Sequence, residues 1–355
     1  MKVPFFDIKR IVKKHENELK NDFSSSLEAC DFILGSKVIE FENNFLSKTN
    51  SKYCISMSNG TDALLSIFMS LNLNDGDEVI VPSFTFVASV SSIVRAGLKP
   101  IYVDLEKDKF LPSIQNILDV WTKKTKAVLF VHLFGEYTDL TILRQECDKR
   151  GAFLIEDCAQ AYGTPVGTFG IASAYSFFPA KNLGCLGDGG AVTTNNEEIY
   201  KKIKKIRFHG SEKKYYYETI GANFRLDNIQ AGFLNVFIKY ADEWIEKRKK
   251  NADVYYSHLS KREEIILPRF DQNNSYNQFS ILIEDRNSFV EFLNSKQIGN
   301  AIYYPIPIHK TKPYFSNKNL LNTDNICSKV VSLPIYSELT EDEQKYIIDS
   351  ILEYL

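Results

Sequence analysis

Short apolar runs and helical stretches alternate along the first 200 residues, and this alternation constrains the fold more than any other feature. Runs typical of strands lie near residues 53–57, 78–81, 100–103, 127–131, 153–157, 174–178 and 190–193. Helical patterns separate several of them, near residues 61–71, 85–96 and 138–149. Strands joined through helices pair in parallel, and the helices cover both faces of the sheet. The sequence therefore predicts an α/β fold with a mostly parallel sheet.

The remainder of the chain predicts a second, smaller domain. A long helical pattern covers residues 227–259, a strand candidate follows at 278–283, and a final helix starts near Thr340. A chain of 355 residues is also long for one compact core. We predict a large domain over residues 1–240, including the N-terminal segment, and a small α+β domain over 241–355.

Composition argues against several classes of protein. The formal net charge is −2, so the chain carries no general basic surface for nucleic acid. It has no apolar stretch long enough for a membrane span, and its N-terminus lacks a signal-peptide core. The six cysteines and five histidines are dispersed, without a CxxC pair. We therefore expect a cytoplasmic protein with reduced thiols and no metal site.

One lysine lies between a strand-like run and a group of glycines. Lys181 belongs to the segment SFFPAKNLG at 176–184, and GDGG follows at 187–190. A strand fixes the backbone before the lysine, and glycines let the chain turn sharply beside a ligand. A lysine in this setting suits an enzyme that holds an aldehyde cofactor as a Schiff base. A solvated surface lysine is the alternative interpretation.

Two further segments supply what such a cofactor needs. Asp157, in EDCAQ at 156–160, ends an apolar run, so its carboxylate points to the crevice where α/β proteins bind ligands. A carboxylate there keeps the pyridine nitrogen of pyridoxal phosphate protonated, which makes the ring an electron sink. Gly60 and Thr61 open a helix after the first strand, where free N–H groups bind phosphate. An ordinary turn cap and an ordinary helix start are the alternatives.

A fourth segment offers an aromatic ring. Phe86 lies in PSFTFVAS at 82–89, where a strand leads into a helix. A ring at this junction can stack on a flat cofactor, although a core phenylalanine fits the pattern equally well.

Taken in order, the segments resemble the DegT/StrS family of nucleotide-sugar aminotransferases, which has the type I (aspartate aminotransferase) fold. The resemblance covers essentially the whole chain. Besides the four segments, it rests on the motifs FILGSKVIEFE (32–42), NGTDAL (59–64), GDEVI (76–80), VHLFG (131–135), GANFRLD (221–227) and SLPIY (332–336).

The resemblance implies a cofactor, a donor and further site residues. It implies pyridoxal 5'-phosphate, a pyridoxamine phosphate intermediate, and L-glutamate as the amino donor. Lys181 is then the catalytic residue, which binds the cofactor and moves the proton. Gln160 is implied at the ring hydroxyl and Ser176 at the phosphate. Asn223 is implied to complete the neighbouring subunit's phosphate site, which makes the protein a homodimer with active sites at the interface.

The same resemblance bears on the acceptor. Family members with histidine in place of Lys181 are sugar dehydratases, so the lysine indicates amino transfer. The segment YYPIPIH at 303–309 resembles members that aminate C3 of dTDP-linked 3-keto-6-deoxyhexoses. Tyr304 and His309 are candidates for binding the sugar or diphosphate, and Lys214 for binding the diphosphate. A stiff proline-rich segment and a solvated loop lysine are the alternatives.

The expected product is dTDP-3-amino-3,6-dideoxy-galactose or -glucose, used in a surface glycan such as lipopolysaccharide. Three alternatives stay open: a 4-aminotransferase acting on a UDP- or dTDP-4-keto-6-deoxy sugar, an aminotransferase of a cyclitol ketone, and a non-catalytic cofactor-binding protein. The sequence also departs from the family pattern at four positions, which are Glu136, Tyr162, Leu186 and Tyr217. Glu136 stands where glutamine is usual.

Overall fold

The computed structural model describes residues 1–355, and a seven-stranded sheet forms its centre. The strands are β1 (Tyr53–Met57), β2 (Glu78–Pro82), β3 (Lys99–Val103), β4 (Thr125–Val131), β5 (Phe153–Asp157), β6 (Ala172–Ser176) and β7 (Gly190–Thr194). Their order across the sheet is β1-β7-β6-β5-β4-β2-β3. The pairs from β6 to β3 are parallel, whereas β7 runs antiparallel to both of its neighbours. The predicted α/β class with a mostly parallel sheet is confirmed.

Helices pack on both faces of this sheet. Those of the first 240 residues are α1 (Ile8–Lys14), α2 (Glu16–Ala29), α3 (Ser36–Leu46), α4 (Gly60–Ser70), α5 (Val87–Arg95), α6 (Ile114–Asp119), α7 (Thr141–Arg150), α8 (Glu197–Arg207) and α9 (Asn228–Phe237). A short hairpin of β8 (Ser211–Lys213) and β9 (Tyr216–Tyr217) lies between α8 and α9. Side chains alternate between the two faces along each strand. In β4, Ala127 and Leu129 join one apolar cluster, and Val128 and Phe130 join another.

The C-terminal part has its own sheet and core. It contains α10 (Ala241–Leu259), β10 (Ile265–Ile266), β11 (Phe279–Ile283), α11 (Arg286–Ser295), α12 (Leu321–Lys329), β12 (Val330–Leu333) and α13 (Glu341–Tyr354). The strands form an antiparallel sheet in the order β10-β11-β12. Val3 pairs with Ile298 and lies in the same apolar cluster as these strands. The first residues of the chain therefore pack on the C-terminal core, and the boundary at residue 240 stays a prediction.

The helical pattern over 227–259 folds as two helices, so the prediction of one long helix is wrong. The first ends at Phe237 and the second begins at Ala241. The break lets apolar side chains from both helices enter one cluster, in which the rings of Phe237 and Trp244 lie 5.6 Å apart. Burial of these rings outweighs the local preference for an unbroken helix.

The final helix begins as the sequence indicates. The hydroxyl of Thr340 accepts a hydrogen bond from Glu343 N, and the Glu343 carboxylate accepts one from Thr340 N, which is a capping box. The same carboxylate binds Arg10, so the first helix is tied to the last. No helix combines the length and the apolar character that crossing a bilayer requires.

Candidate active site

A cavity of about 580 Å³ opens at the carboxyl ends of the central strands. This is the edge at which open α/β sheets bind ligands. The residues predicted from the sequence that line the cavity are Gly60, Thr61, Phe86, Asp157, Gln160, Ser176, Lys181 and Tyr304. The order of strands across the sheet thus brings together segments that are far apart in the chain.

Asp157 ends β5 and is almost fully buried at the base of this cavity. Its Oδ2 accepts a hydrogen bond from Ser89 Oγ at 2.7 Å, and its Oδ1 accepts one from Ala159 N at 3.1 Å. Burial raises the pKa of the Asp157 carboxyl, although these two hydrogen bonds and the charge of Lys181 oppose the rise. A buried carboxylate held in this way is suited to pair with a cation, such as a protonated ring nitrogen.

Lys181 lies in the loop that follows β6. Its N–H donates to Phe178 O at 2.8 Å, which closes a tight turn. A Cβ at Gly184 would lie 2.8 Å from the carbonyl oxygens of Phe178 and Pro179, so the turn needs glycine there. Burial lowers the pKa of Lys181 to about 8, and Asp157 opposes this effect. About a tenth of the amine is therefore neutral at pH 7, and this neutral form is the one that acts as a nucleophile or general base.

Three chain segments meet around the start of α4. Asn59 caps the helix, because its Oδ1 accepts a hydrogen bond from Asp62 N at 2.8 Å. A Cβ on Gly60 would lie 2.8 Å from the Cβ of Ser176, and one on Gly190 would lie 2.5 Å from Asn59 C. Glycine at both positions lets the free N–H groups of the helix start approach Ser176. This cradle fits a phosphate group.

Phe86 stands at the start of α5 with 55% of its surface exposed, so the core interpretation of this ring is excluded. Its ring lies 6.3 Å from that of Tyr304, whose pKa is held well above its usual range by burial. Gln160 Oε1 accepts a hydrogen bond from Phe134 N at 2.7 Å, which orients the amide. The two rings and the amide border the same cavity.

The structure leaves three predicted residues outside the cavity of their own chain. His309 is fully buried, with Nδ1 2.7 Å from Ser83 Oγ, because the chain turns away from the cavity after Pro307. Lys214 and Asn223 are exposed. Lys214 lies in the hairpin of β8 (Ser211–Lys213) and β9 (Tyr216–Tyr217). Their roles stay predictions, and for Asn223 the role depends on a partner subunit.

Several cavity residues had no signal in the sequence. Asn277 and Gln278 come from the segment before β11, and Arg95 and Asp188 also line the cavity. Ser89, whose hydroxyl donates to Asp157, lies in the first turn of α5. Only the Asp188 position could have been inferred, from the glycines on either side of it.

A buried cluster of His132, Glu156 and Cys158 has ligand atoms close enough for a metal ion. The carboxylate of Glu156, however, already accepts hydrogen bonds from Gly167 N at 2.8 Å and Gly170 N at 2.7 Å, and lies 3.0 Å from His132 Nε2. Burial alone would raise the pKa of Glu156, but these contacts lower it. These contacts explain the cluster as a hydrogen-bonded network in the core around Glu156 of β5.

Comparison with known proteins identifies the family. Residues 13–352 match the model of the DegT/DnrJ/EryC1/StrS aminotransferase family. The chain belongs to this family. It is 36% identical, over 99% of each chain, to a dTDP-3-amino-3,6-dideoxy-alpha-D-galactopyranose transaminase from Aneurinibacillus thermoaerophilus.

Solved structures agree with this assignment. The crystal structure of DesV from S. venezuelae, in complex with a ketimine intermediate, superposes with a TM-score of 0.96 at 32% identity, covering 99% of this chain and 98% of that one. NtdA from Bacillus subtilis, with the cofactor PMP bound, gives 0.95 at 30% identity, covering 99% and 85%. The predicted type I fold and family are confirmed, and the family depends on pyridoxal phosphate.

Proposed function

We propose that this enzyme transfers an amino group from L-glutamate to C3 of a dTDP-3-keto-6-deoxyhexose. The observation that carries the proposal is the 36% identity, over the full length, to a transaminase of a dTDP-3-amino-3,6-dideoxy sugar. The product is then dTDP-3-amino-3,6-dideoxy-galactose or -glucose. We place the reaction in the cytoplasm, as a supply step for a surface glycan.

The cavity residues fit pyridoxal 5'-phosphate. When bound, this cofactor withdraws electrons from the carbon that carries the amino group. Asp157 would pair with the protonated ring nitrogen, Phe86 would stack on the ring, and Gln160 would orient the ring hydroxyl. Gly60, Thr61 and Ser176 would hold the phosphate.

Lys181 performs the proton transfer in this proposal. Lys181 would remove a proton from the α-carbon of glutamate and return one at the C4′ position of the cofactor, and it would then act in reverse on the sugar. A pKa lowered to about 8 makes the amine an effective base near neutral pH.

We also propose a homodimer. Large apolar side chains are exposed on α2, the following loop and α3, and they are Phe23, Leu27, Phe32, Ile33 and Ile39. Such a group of exposed apolar side chains is typical of a surface that is covered by a partner. In this assembly Asn223 and Lys214 reach the neighbouring subunit's cavity.

The test is a half-reaction followed by absorbance. The enzyme is converted to its pyridoxamine phosphate form with L-glutamate, freed of glutamate, and mixed with a dTDP-3-keto-6-deoxyhexose or a 4-keto nucleotide sugar in separate cuvettes. Return of the lysine-linked cofactor band only with the 3-keto sugar is the expected result. Return only with the 4-keto sugar overturns the C3 assignment and supports the 4-aminotransferase. Return with neither points to a cyclitol or another ketone.

A further inference from the structure

The loop that carries Lys181 is tied to the rest of the chain at few points. This Lys181 loop covers residues 177–189, between β6 and β7, and three of its residues after the lysine are glycines. At residues 178–184, a single hydrogen bond joins two main-chain groups, and it runs from Lys181 N to Phe178 O. Only the side chain of Asn182 links these residues by hydrogen bonds to parts of the chain before β6 or after β7. The position of the lysine therefore depends strongly on this amide.

Asn182 follows the lysine directly and is only 4% exposed. Its Nδ2 donates to two main-chain carbonyl oxygens, Tyr162 O and Ser275 O, each at 3.1 Å. Carbonyl groups only accept, so the amide cannot be reversed. Its Oδ1 accepts a hydrogen bond from Asn277 Nδ2 at 3.1 Å. Two of the three contacts thus reach the C-terminal part of the chain.

The segment at residues 275–277 is itself held by the loop that follows β4. Its first and last residues donate N–H groups to Gly135 O at 3.0 Å and to Phe134 O at 2.9 Å. Phe134 N donates in turn to Gln160 Oε1 at 2.7 Å. One segment of the C-terminal part is therefore connected by hydrogen bonds both to the Lys181 loop and to the amide of Gln160 in the cavity.

We propose that Asn182 is a positioning residue, which ties the Lys181 loop to the C-terminal part through Asn277 and so holds the lysine in its place in the cavity. A proton transfer needs its base in one position, and a misplacement of about 1 Å can cost about 100-fold in rate. The transfer by Lys181 rests on the proposed function. The restraint on the loop rests on the three hydrogen bonds.

The experiment compares the wild type with Asn182→Ala, Asn277→Leu, the double variant and Thr164→Val, all as holoenzyme. Thr164 Oγ1 donates to Gly135 O at 3.0 Å and lies 2.9 Å from Ser275 Oγ, outside the cavity. Thr164→Val therefore loosens the same region without removing a contact of the Lys181 loop. It is the matched control for a loss of stability alone.

The first readout is the rate of the glutamate half-reaction at saturating L-glutamate. We expect Asn182→Ala to lower this rate by about 100-fold and Asn277→Leu by about tenfold. Thr164→Val should lower it by no more than about twofold. The double variant should be no slower than Asn182→Ala, because Asn277 acts through Asn182. Losses that multiply in the double variant overturn the proposed link.

The second readout needs no substrate. The absorbance band of the lysine-linked cofactor is titrated with pH, and its midpoint reports the surroundings of the Lys181 nitrogen. We expect the midpoint to move by about half a pH unit or more in Asn182→Ala and in Asn277→Leu, and to stay unchanged in Thr164→Val. Midpoints equal to that of the wild type in both asparagine variants would mean that the amide is structural only, and they overturn the proposal.

Two further outcomes are decided by the same measurements. If Asn182→Ala does not fold, Asn277→Leu compared with Thr164→Val gives the answer, and an unchanged rate in Asn277→Leu overturns the proposal. If the wild type does not react with L-glutamate, the proposed function fails. The pH midpoints then still test whether Asn182 positions the lysine.

Discussion

Burial acts in opposite directions on the two charged groups at the base of the cavity. Burial raises the pKa of Asp157 and lowers that of Lys181 to about 8. The charge of each group stabilises the charged form of the other and so opposes these shifts. Burial therefore opposes the charged form of both groups, and their mutual attraction partly offsets this effect. A cationic ring nitrogen beside Asp157 would stabilise the carboxylate and leave Lys181 free to act as a base.

For a single residue, we predict how Asp157→Asn changes the rate of the glutamate half-reaction. The variant keeps the shape of the side chain and removes the charge, so the ring nitrogen is no longer held in its protonated form. We expect the rate of the glutamate half-reaction to fall by about 100-fold or more. The measurement is stopped-flow absorbance on enzyme saturated with pyridoxal phosphate.

Ser89→Ala is the matched control for this prediction. It removes the hydrogen bonds of Ser89 Oγ to Asp157 Oδ2 and Thr85 Oγ1 and leaves the charge of Asp157 in place. We expect a loss of about tenfold or less. Equal losses in the two variants would show that position, and not charge, is what Asp157 provides.

Among the elements, the start of α4 depends most on a single residue. Alanine is a better helix former than glycine by about 1 kcal/mol, so helix propensity alone predicts that Gly60→Ala is stabilising. The Cβ would, however, lie 2.8 Å from Ser176 Cβ, and the helix start or β6 must shift. We expect the affinity for pyridoxal phosphate to fall by about tenfold, measured by titration of the apoenzyme.

Gly151→Ala provides the comparison. Gly151 caps the C-terminal end of α7 with φ of 63°, and a Cβ there meets no atom within 4 Å. We expect a loss of about 1 kcal/mol in stability with unchanged cofactor affinity. An unchanged affinity in Gly60→Ala would exclude the helix start as the phosphate site.

At the scale of the whole molecule, the exposed apolar side chains predict a dimer that can be broken. Leu27 on α2 is 49% exposed in the isolated chain. Leu27→Asp would place a charge in the proposed interface, so we expect a monomer by light scattering and a large loss of activity. Ile142→Asp, at a position on α7 that is 61% exposed, should stay dimeric and active. A dimeric, active Leu27→Asp would place the interface elsewhere.

Glu136 predicts how stability depends on pH. Burial raises its pKa from 4.5 to about 7, and Arg269 opposes the rise. The folded state thus favours the protonated carboxyl of Glu136. The contribution of this group to the free energy of unfolding is complete below about pH 4.5 and is lost as the pH rises through 7. Glu136→Gln mimics the protonated form and should gain stability over the wild type at pH 8 by up to about 3 kcal/mol.

Thermal unfolding of the two apoenzymes at pH 5 and pH 8 checks this prediction. The difference between their midpoints should widen by a few degrees at the higher pH. A difference that does not change with pH would mean that Glu136 titrates normally.

The sequence by itself determined the strands of the central sheet to within about two residues, the fold class and the family. Strand periodicity, the glycine turns and the segment around Lys181 are local patterns, and local patterns can be read along the chain. It also indicated eight residues of the cavity. Seven of them lie at or after the carboxyl ends of sheet strands, where a parallel sheet places them, and Tyr304 comes from the C-terminal part of the chain.

The tertiary structure alone decided the rest. It broke the helix after Phe237, because packing of two aromatic rings outweighs local propensity. His309 lies outside the cavity, next to Ser83, whereas Asn277 from the C-terminal part of the chain lines the cavity. Which side chains meet across two cores depends on contacts between residues far apart in sequence, and no periodicity records those contacts.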